Sequence, residues 1–233
     1  MTLTRKTQLM TVGIFLTVAA LGCQGTDSPT PPTEIPTDLS LLALGDSYTV
    51  GHGIPTGLGW PHQLADSLAT AGDTLTRTDV LAVTGWTTTD LLEAMGDADL
   101  EPGYGLVTVM IGVNNQFQGL DQVVFATELD SLLGWAADLG GEVLVFTIPD
   151  YGATPVGGMF GSDEIARAID SWNAALRQVA ERHGLVPLDV TTLSREAADD
   201  PGLVARDGLH FSPEMYRRWV SLMLPAVREA LGL

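Results

Sequence analysis

The chain has 233 residues, is 45% hydrophobic and carries a formal charge of −18. That length and apolar content suit one sizeable domain with a short appendage. An acid excess of this size repels nucleic acid and anionic headgroups, which excludes a DNA- or RNA-binding role, and no stretch is long and apolar enough for a mature membrane span.

The first element in chain order is a targeting segment. Arg5 and Lys6 precede the apolar run LMTVGIFLTVAALG, and Cys23, the only cysteine, follows it. A charged start, a short apolar core and a small-residue exit mark a segment removed after export. Ala20-Leu21-Gly22-Cys23 resembles the lipobox of bacterial lipoproteins, although Leu21 is larger than the residue usual there. The resemblance implies cleavage after Gly22 and lipid on Cys23. The protein would then be exported and anchored in the bacterial cell envelope, on a membrane reached only through that lipid, with no cysteine left for a disulfide. Losing residues 1–22, which carry Arg5, Lys6 and no acid, takes the charge from −18 to about −20. Residues 23–38 are rich in Pro, Thr and Asp, lack periodicity and read as a tether.

From residue 39 onward apolar runs alternate with helix-period segments. Strands are expected near 40–45, 76–83, 106–112, 143–148 and 185–189. LVTVMIG and EVLVFTIP are continuous and rich in β-branched residues, as expected for strands buried on both faces. The helices carry start and stop signals: Pro61 and Gly72 on the first, Thr87 to Thr89 as caps on the second, Ser162 or Asp163 and Gly184 on a long one, Ser212 and Pro213 on the last, with Pro225 as a kink. Five alternations of strand and helix predict one doubly wound α/β domain over 39–233, a parallel sheet of about five strands between helical layers, with no repeat and no second domain.

Chemistry enters at LLALGDSYTVGHG, where an apolar strand stops at Gly45-Asp46-Ser47. Open α/β sheets keep their sites at the carboxyl ends of strands, which makes Ser47 a candidate nucleophile. A serine needs a base. His183 ends a helix and suits free carbonyls, His62 lies in a helix's first turn, and His52 shares the loop of Ser47. His210, in DGLHFSP, has Asp207 three residues before it. A carboxylate at that spacing reaches one ring nitrogen and leaves the other free for Ser47. Two further strand ends deliver donors for an oxyanion: Gly85 through its backbone N–H and Asn114 through its side-chain amide. Each motif alone reads as an ordinary turn; all of them at successive strand ends do not.

GDSYTVG, VTGWTTTDLL, IGVNN and DGLHFS together resemble the four blocks of the SGNH hydrolases of the GDSL esterase/lipase superfamily, over nearly all of residues 40–233. The resemblance implies a three-layer, flavodoxin-like α/β/α sandwich. It implies Ser47 as nucleophile, His210 as base and Asp207 as its orienter, with the oxyanion held by Ser47 N–H, Gly85 N–H and the Asn114 amide. The expected activity is hydrolysis of carboxylic esters, of short acyl, acetylated-sugar or lysophospholipid type, by a monomer that needs no cofactor. Acyl transfer to an alcohol on the same site and a non-catalytic glycan-binding lipoprotein are the alternatives. Asn115 stands where many members have Asp. Thr49 breaks a G-x-S-x-G elbow, GHGIPTGLG lacks the lysine and hydroxyl of a phosphate loop, and no Cys/His cluster suggests a metal. Trp60 and Trp86 are candidate pocket walls beside the more ordinary role of core packing, Asp150 is a candidate rim or cap residue, and Trp135, Trp172 and Trp219 are expected in the core.

Overall fold

The computed structural model describes residues 39–233. The export signal, the tether and Cys23 lie outside the described residues. In chain order the elements are β1 (Ser40–Gly45), α1 (Ser47–Val50), α2 (Trp60–Thr70), β2 (Arg77–Ala82), α3 (Thr88–Asp97), β3 (Leu106–Met110), α4 (Val113–Phe117), α5 (Gln122–Asp138), β4 (Glu142–Val145), α6 (Pro155–Gly158), α7 (Ser162–Arg182), α8 (Val190–Arg195) and α9 (Pro213–Ala230). Among the described residues no helix is long and apolar enough to cross a membrane.

The strands form a parallel sheet in the order β2-β1-β3-β4. Every residue of β1 and β3 is buried. Successive strand side chains point to opposite faces, so both faces of the sheet must be covered. Helices α2 and α9 pack together, as do α3 and α7 against α5, and these two groups supply the cover. The edge strand β2 is only half-buried and carries Arg77 and Asp79, charges that discourage pairing with another chain.

The expected strand at 185–189 is reduced to one parallel bridge, Phe146 with Leu188. Leu188 N–H donates to Val145 O at 2.8 Å and Thr147 N–H to Leu188 O at 3.0 Å. Pro187 has no N–H, so the ladder cannot extend back through it. Counting that bridge as a position, the sheet keeps the 2-1-3-4-5 order of a flavodoxin-like fold.

Helix starts follow the sequence signals with one exception. Thr87 and Asp90 form a reciprocal capping box on α3, and Ser212 caps α9 with Pro213 at its first turn. On α7 neither Ser162 nor Asp163 caps: the cap position is Gly161, and the acids Asp163 and Glu164 lie in the first turn, where the helix dipole favours them. Helix α9 continues through Pro225. Trp60, Trp172 and Trp219 are core residues, whereas Trp135 of α5 is 43% exposed.

Candidate active site

The strand order reverses between β1 and β3, which run out from the centre toward opposite edges. The crevice at such a switch point is where open α/β sheets bind ligands. Ser47, Gly85 and Asn114 follow the carboxyl ends of β1, β2 and β3, and together with His210 they line one cavity of about 170 Å3. Its remaining walls are Tyr48, Thr84, Val113, Phe117, Tyr151 and Leu209, mostly apolar or aromatic.

Ser47 is the first residue of α1 and is buried. The Asp46 carboxylate caps this helix by accepting the Tyr48 N–H at 3.0 Å, which leaves the Ser47 hydroxyl free of any capping duty. The Ser47 N–H, at the first helical position, has no partner within the helix. Two neighbours hold the distant blocks together: Tyr48 beside Ser47 and Phe211 beside His210 stack with ring centroids 5.3 Å apart. Trp219 of α9 closes on both rings, at 6.2 Å from Tyr48 and 5.5 Å from Phe211.

His210 sits on a tight hairpin. Val204 bridges Phe211, Ala205 N–H donates to His210 O at 2.8 Å, and Gly208 N–H closes the turn on Ala205 O. Within it, Asp207 Oδ1 accepts the N–H groups of Leu209 and His210, both at 2.9 Å, and Oδ2 lies 2.7 Å from His210 Nδ1. Partial burial works to raise the Asp207 pKa, but those two N–H donors and the imidazole outweigh it, so the carboxyl is held below its ordinary range. Burial pulls His210 below the ordinary histidine value, against the upward pull of Asp207; a charge on His52 adds to the downward side. A neutral imidazole bonded through Nδ1 to a carboxylate has Nε2 free to accept a proton.

The loops that carry the candidate donors Gly85 and Asn114 are clamped rather than loose. Gly85 sits at φ +92° in a turn closed by Trp86 N–H on Val83 O, a conformation that favours glycine. A Cβ there would meet nothing, so it is the backbone angle and not space that selects the residue. Asn114 Nδ2 donates to Trp86 O at 2.9 Å; an amide has two such hydrogens, and this bond uses one. Asn115 is buried and reaches the same loop, taking Thr88 N–H on Oδ1 at 3.0 Å and giving Nδ2 to Thr88 Oγ1 at 2.7 Å. Thr88 Oγ1 in turn donates a hydrogen bond to Glu128. An amide at 115 therefore suits this chain, since it can donate to a hydroxyl that is itself donating elsewhere.

The remaining expectations divide. Trp60 is fully buried against Phe146 and does not line the cavity, while Trp86 serves it through its carbonyl. His183 turns to Asp130, with Nε2 3.0 Å from its Oδ1, instead of to helix-end carbonyls, because that acid faces it from α5. His62 is on the surface. Asp150 caps the turn at Tyr151 and pairs with Arg195 at 2.9 Å; it lines a separate groove of about 510 Å3 that contains none of Ser47, Gly85, Asn114, Asp207 or His210. What the sequence did not reveal is the place of His52: its Nδ1 lies 3.0 Å from Thr84 Oγ1 and its ring centroid 4.6 Å from that of His210. Only its loop shared with Ser47 hinted at this.

Asp46 is buried, and burial pushes its pKa up to about 7 against the lowering effect of the Tyr48 N–H. A folded-state pKa above the unfolded value favours the fold most at low pH, and that advantage is lost as pH rises toward 7. Asp46→Asn keeps an oxygen for the Tyr48 N–H without a titrating proton. Its stability relative to wild type is therefore expected to improve between pH 4 and 7, by up to about 1.4 kcal/mol per pH unit. Urea denaturation across that range checks it; parallel stability curves would remove Asp46 from the pH dependence.

The sheet order and the cavity at its switch point define a flavodoxin-like α/β scaffold. The chain belongs to the GDSL-like lipase/acylhydrolase family, whose pattern it matches over residues 43–218. It is 29% identical over 115 residues to an arylesterase of Vibrio mimicus, an alignment that spans 48% of this chain and a little over half, 57%, of that relative. A lipase/acylhydrolase of Enterococcus faecalis superposes with a TM-score of 0.67 at 20% identity, covering 83% of this chain and 95% of that one. The psychrotrophic esterase EstA of a Pseudoalteromonas species, in a structure inhibited by monoethylphosphonate, gives 0.65 at 17% identity, covering 84% and 100%. At these identities the two structures speak to the fold.

Proposed function

We propose that the protein is a serine esterase that cleaves short-acyl carboxylic esters through an acyl-enzyme. The observation that carries this is the convergence of Ser47, Gly85, Asn114 and His210 on one cavity, with Asp207 bonded to the far side of the imidazole. Ser47 Oγ attacks the ester carbonyl carbon and its proton passes to His210 Nε2. The imidazolium returns that proton to the leaving alcohol as the carbon–oxygen bond breaks. Water then attacks the acyl-enzyme, giving its proton to His210, and Ser47 departs with that proton while the acid is released. The N–H groups of Ser47 and Gly85 and the free amide hydrogen of Asn114 hold the negative oxygen of both tetrahedral species.

Size argues for a small acyl group. Pockets that enclose drug-sized ligands run to about 300 Å3 and more, and this cavity is little over half that. Acetyl or propionyl esters fit between Val113, Phe117 and Tyr151, the last two rings meeting edge-on at 5.8 Å. The alcohol portion, sugar, aryl or lipid, extends out of the cavity and is less constrained. Export and attachment through a lipid on Cys23 rest on the sequence pattern, and mass analysis of the processed amino terminus tests them.

A fluorophosphonate probe should label Ser47 and no other residue, and p-nitrophenyl esters should be hydrolysed fastest at acetyl to butyryl length. An unlabelled Ser47 in folded protein would end this reading. Asn114→Ala is expected to lower kcat by about 10²–10³ with KM little changed, because its donor counts chiefly in the transition state. Steady-state kinetics on p-nitrophenyl acetate measure the split.

A further inference from the structure

His52 has no part in the chemistry above, yet it faces the most reactive pair in the molecule. Single ligand atoms of His52, Asp207 and His210 all lie within 4.8 Å of one another. We propose that these three side chains form a binding site for a divalent transition-metal ion of the zinc class, and that its occupancy switches hydrolysis off. The second half rests on the esterase reading; the first does not.

Two imidazoles and one carboxylate are a donor set that zinc accepts, with a fourth position left to water. Ligand atoms on one tetrahedral zinc are about 3.3 Å apart, so separations that reach at most 4.8 Å have to close by no more than about 1.5 Å. The exposed His52 side chain can make that movement by pivoting about its bond to Thr84 Oγ1. The surrounding bonds are those a metal site needs. Thr84 Oγ1 holds His52 Nδ1 at 3.0 Å and leaves Nε2 unclaimed, while Asp207 Oδ1 is fixed by the N–H groups of Leu209 and His210.

The chain is also shaped to bring His52 here. A Cβ on Gly53 would lie 2.5 Å from Asp207 Oδ2, so only glycine lets this loop close against the carboxylate. The strongly acidic chain concentrates cations around it. Coordination at His210 Nδ1 severs the bond to Asp207 and places the neutral ring's one proton on Nε2, which then cannot accept from Ser47. Coordination at Nε2 occupies the lone pair that would accept the Ser47 proton. Either way no base remains.

The test uses the full chain, freed of metal by chelation. Zn²⁺ should inhibit p-nitrophenyl acetate hydrolysis reversibly, with activity restored by EDTA. His52→Gln should weaken that inhibition at least about tenfold. Co²⁺ should give the visible absorption of a low-coordinate histidine site on wild type and equally on Ser47→Ala, where no hydrolysis is read, and should lose it on His52→Gln. A protein without esterase activity that binds Co²⁺ through His52 would keep the site and sink the esterase reading. Equal Zn²⁺ sensitivity in wild type and His52→Gln, or a Co²⁺ spectrum indifferent to His52, would overturn the site.

Discussion

Ser47→Ala is expected to lower kcat for p-nitrophenyl acetate by about six orders of magnitude and to abolish fluorophosphonate labelling. The size of the loss follows from what the hydroxyl does. In the proposed mechanism it forms the bond that becomes the acyl-enzyme, so without it His210 and the oxyanion donors can only assist direct attack by water. That residual assistance is worth about 10³–10⁴ over the uncatalysed reaction. The fold should not suffer. Asp46, not Ser47, caps α1, and the stacking of Tyr48 on Phe211 is independent of the hydroxyl. An unchanged thermal midpoint beside the lost activity separates chemistry from folding; a variant that kept more than about one per cent of the rate would show that another residue attacks the ester.

How far this could be read in the sequence depends on whether a signal is local. Strands β1 and β3 are continuous apolar runs because both their faces are buried, and such runs are legible without a structure. So are Thr87 with Asp90, Ser212 with Pro213, and Asp207 with His210, since each pair meets within one turn of chain. The fifth strand is shorter than its pattern predicts: GLVPLDV has the right apolar run, but a missing N–H at Pro187 leaves only the Leu188 bridge. Contacts between loops leave no periodic trace. Nothing near His52 announces that Thr84 will bind its ring, and nothing near Asn115 announces that Thr88 will accept its amide hydrogen. Gly85 and Asn114 stand out as donor candidates by their places at strand ends; the clamps that position them become visible only with the loops packed together.

Asp207→Asn tests the orienting half of the constellation, and a fall of about 10⁴ in kcat is expected with the site otherwise intact. The carboxylate fixes the ring by accepting a hydrogen from Nδ1 at 2.7 Å. In the variant, the asparagine oxygen can still take the Leu209 and His210 N–H groups, which turns its NH₂ toward the imidazole. That donor calls for a bare Nδ1 and moves the ring proton to Nε2, where it blocks acceptance from Ser47. The pH profile carries a second, signed expectation. His210 works as a base only when neutral, and burial places its pKa below the ordinary 6.5, so the acid limb of wild-type kcat/KM should fall below pH 6.5. Asp207 opposes that shift by favouring the imidazolium. Removing its charge should move the limb of the residual activity still lower, the opposite direction from a mere loss of burial. Rates on p-nitrophenyl acetate from pH 4 to 8 decide it: a limb that stays put, or a loss under tenfold, would mean that Asp207 does not hold the base.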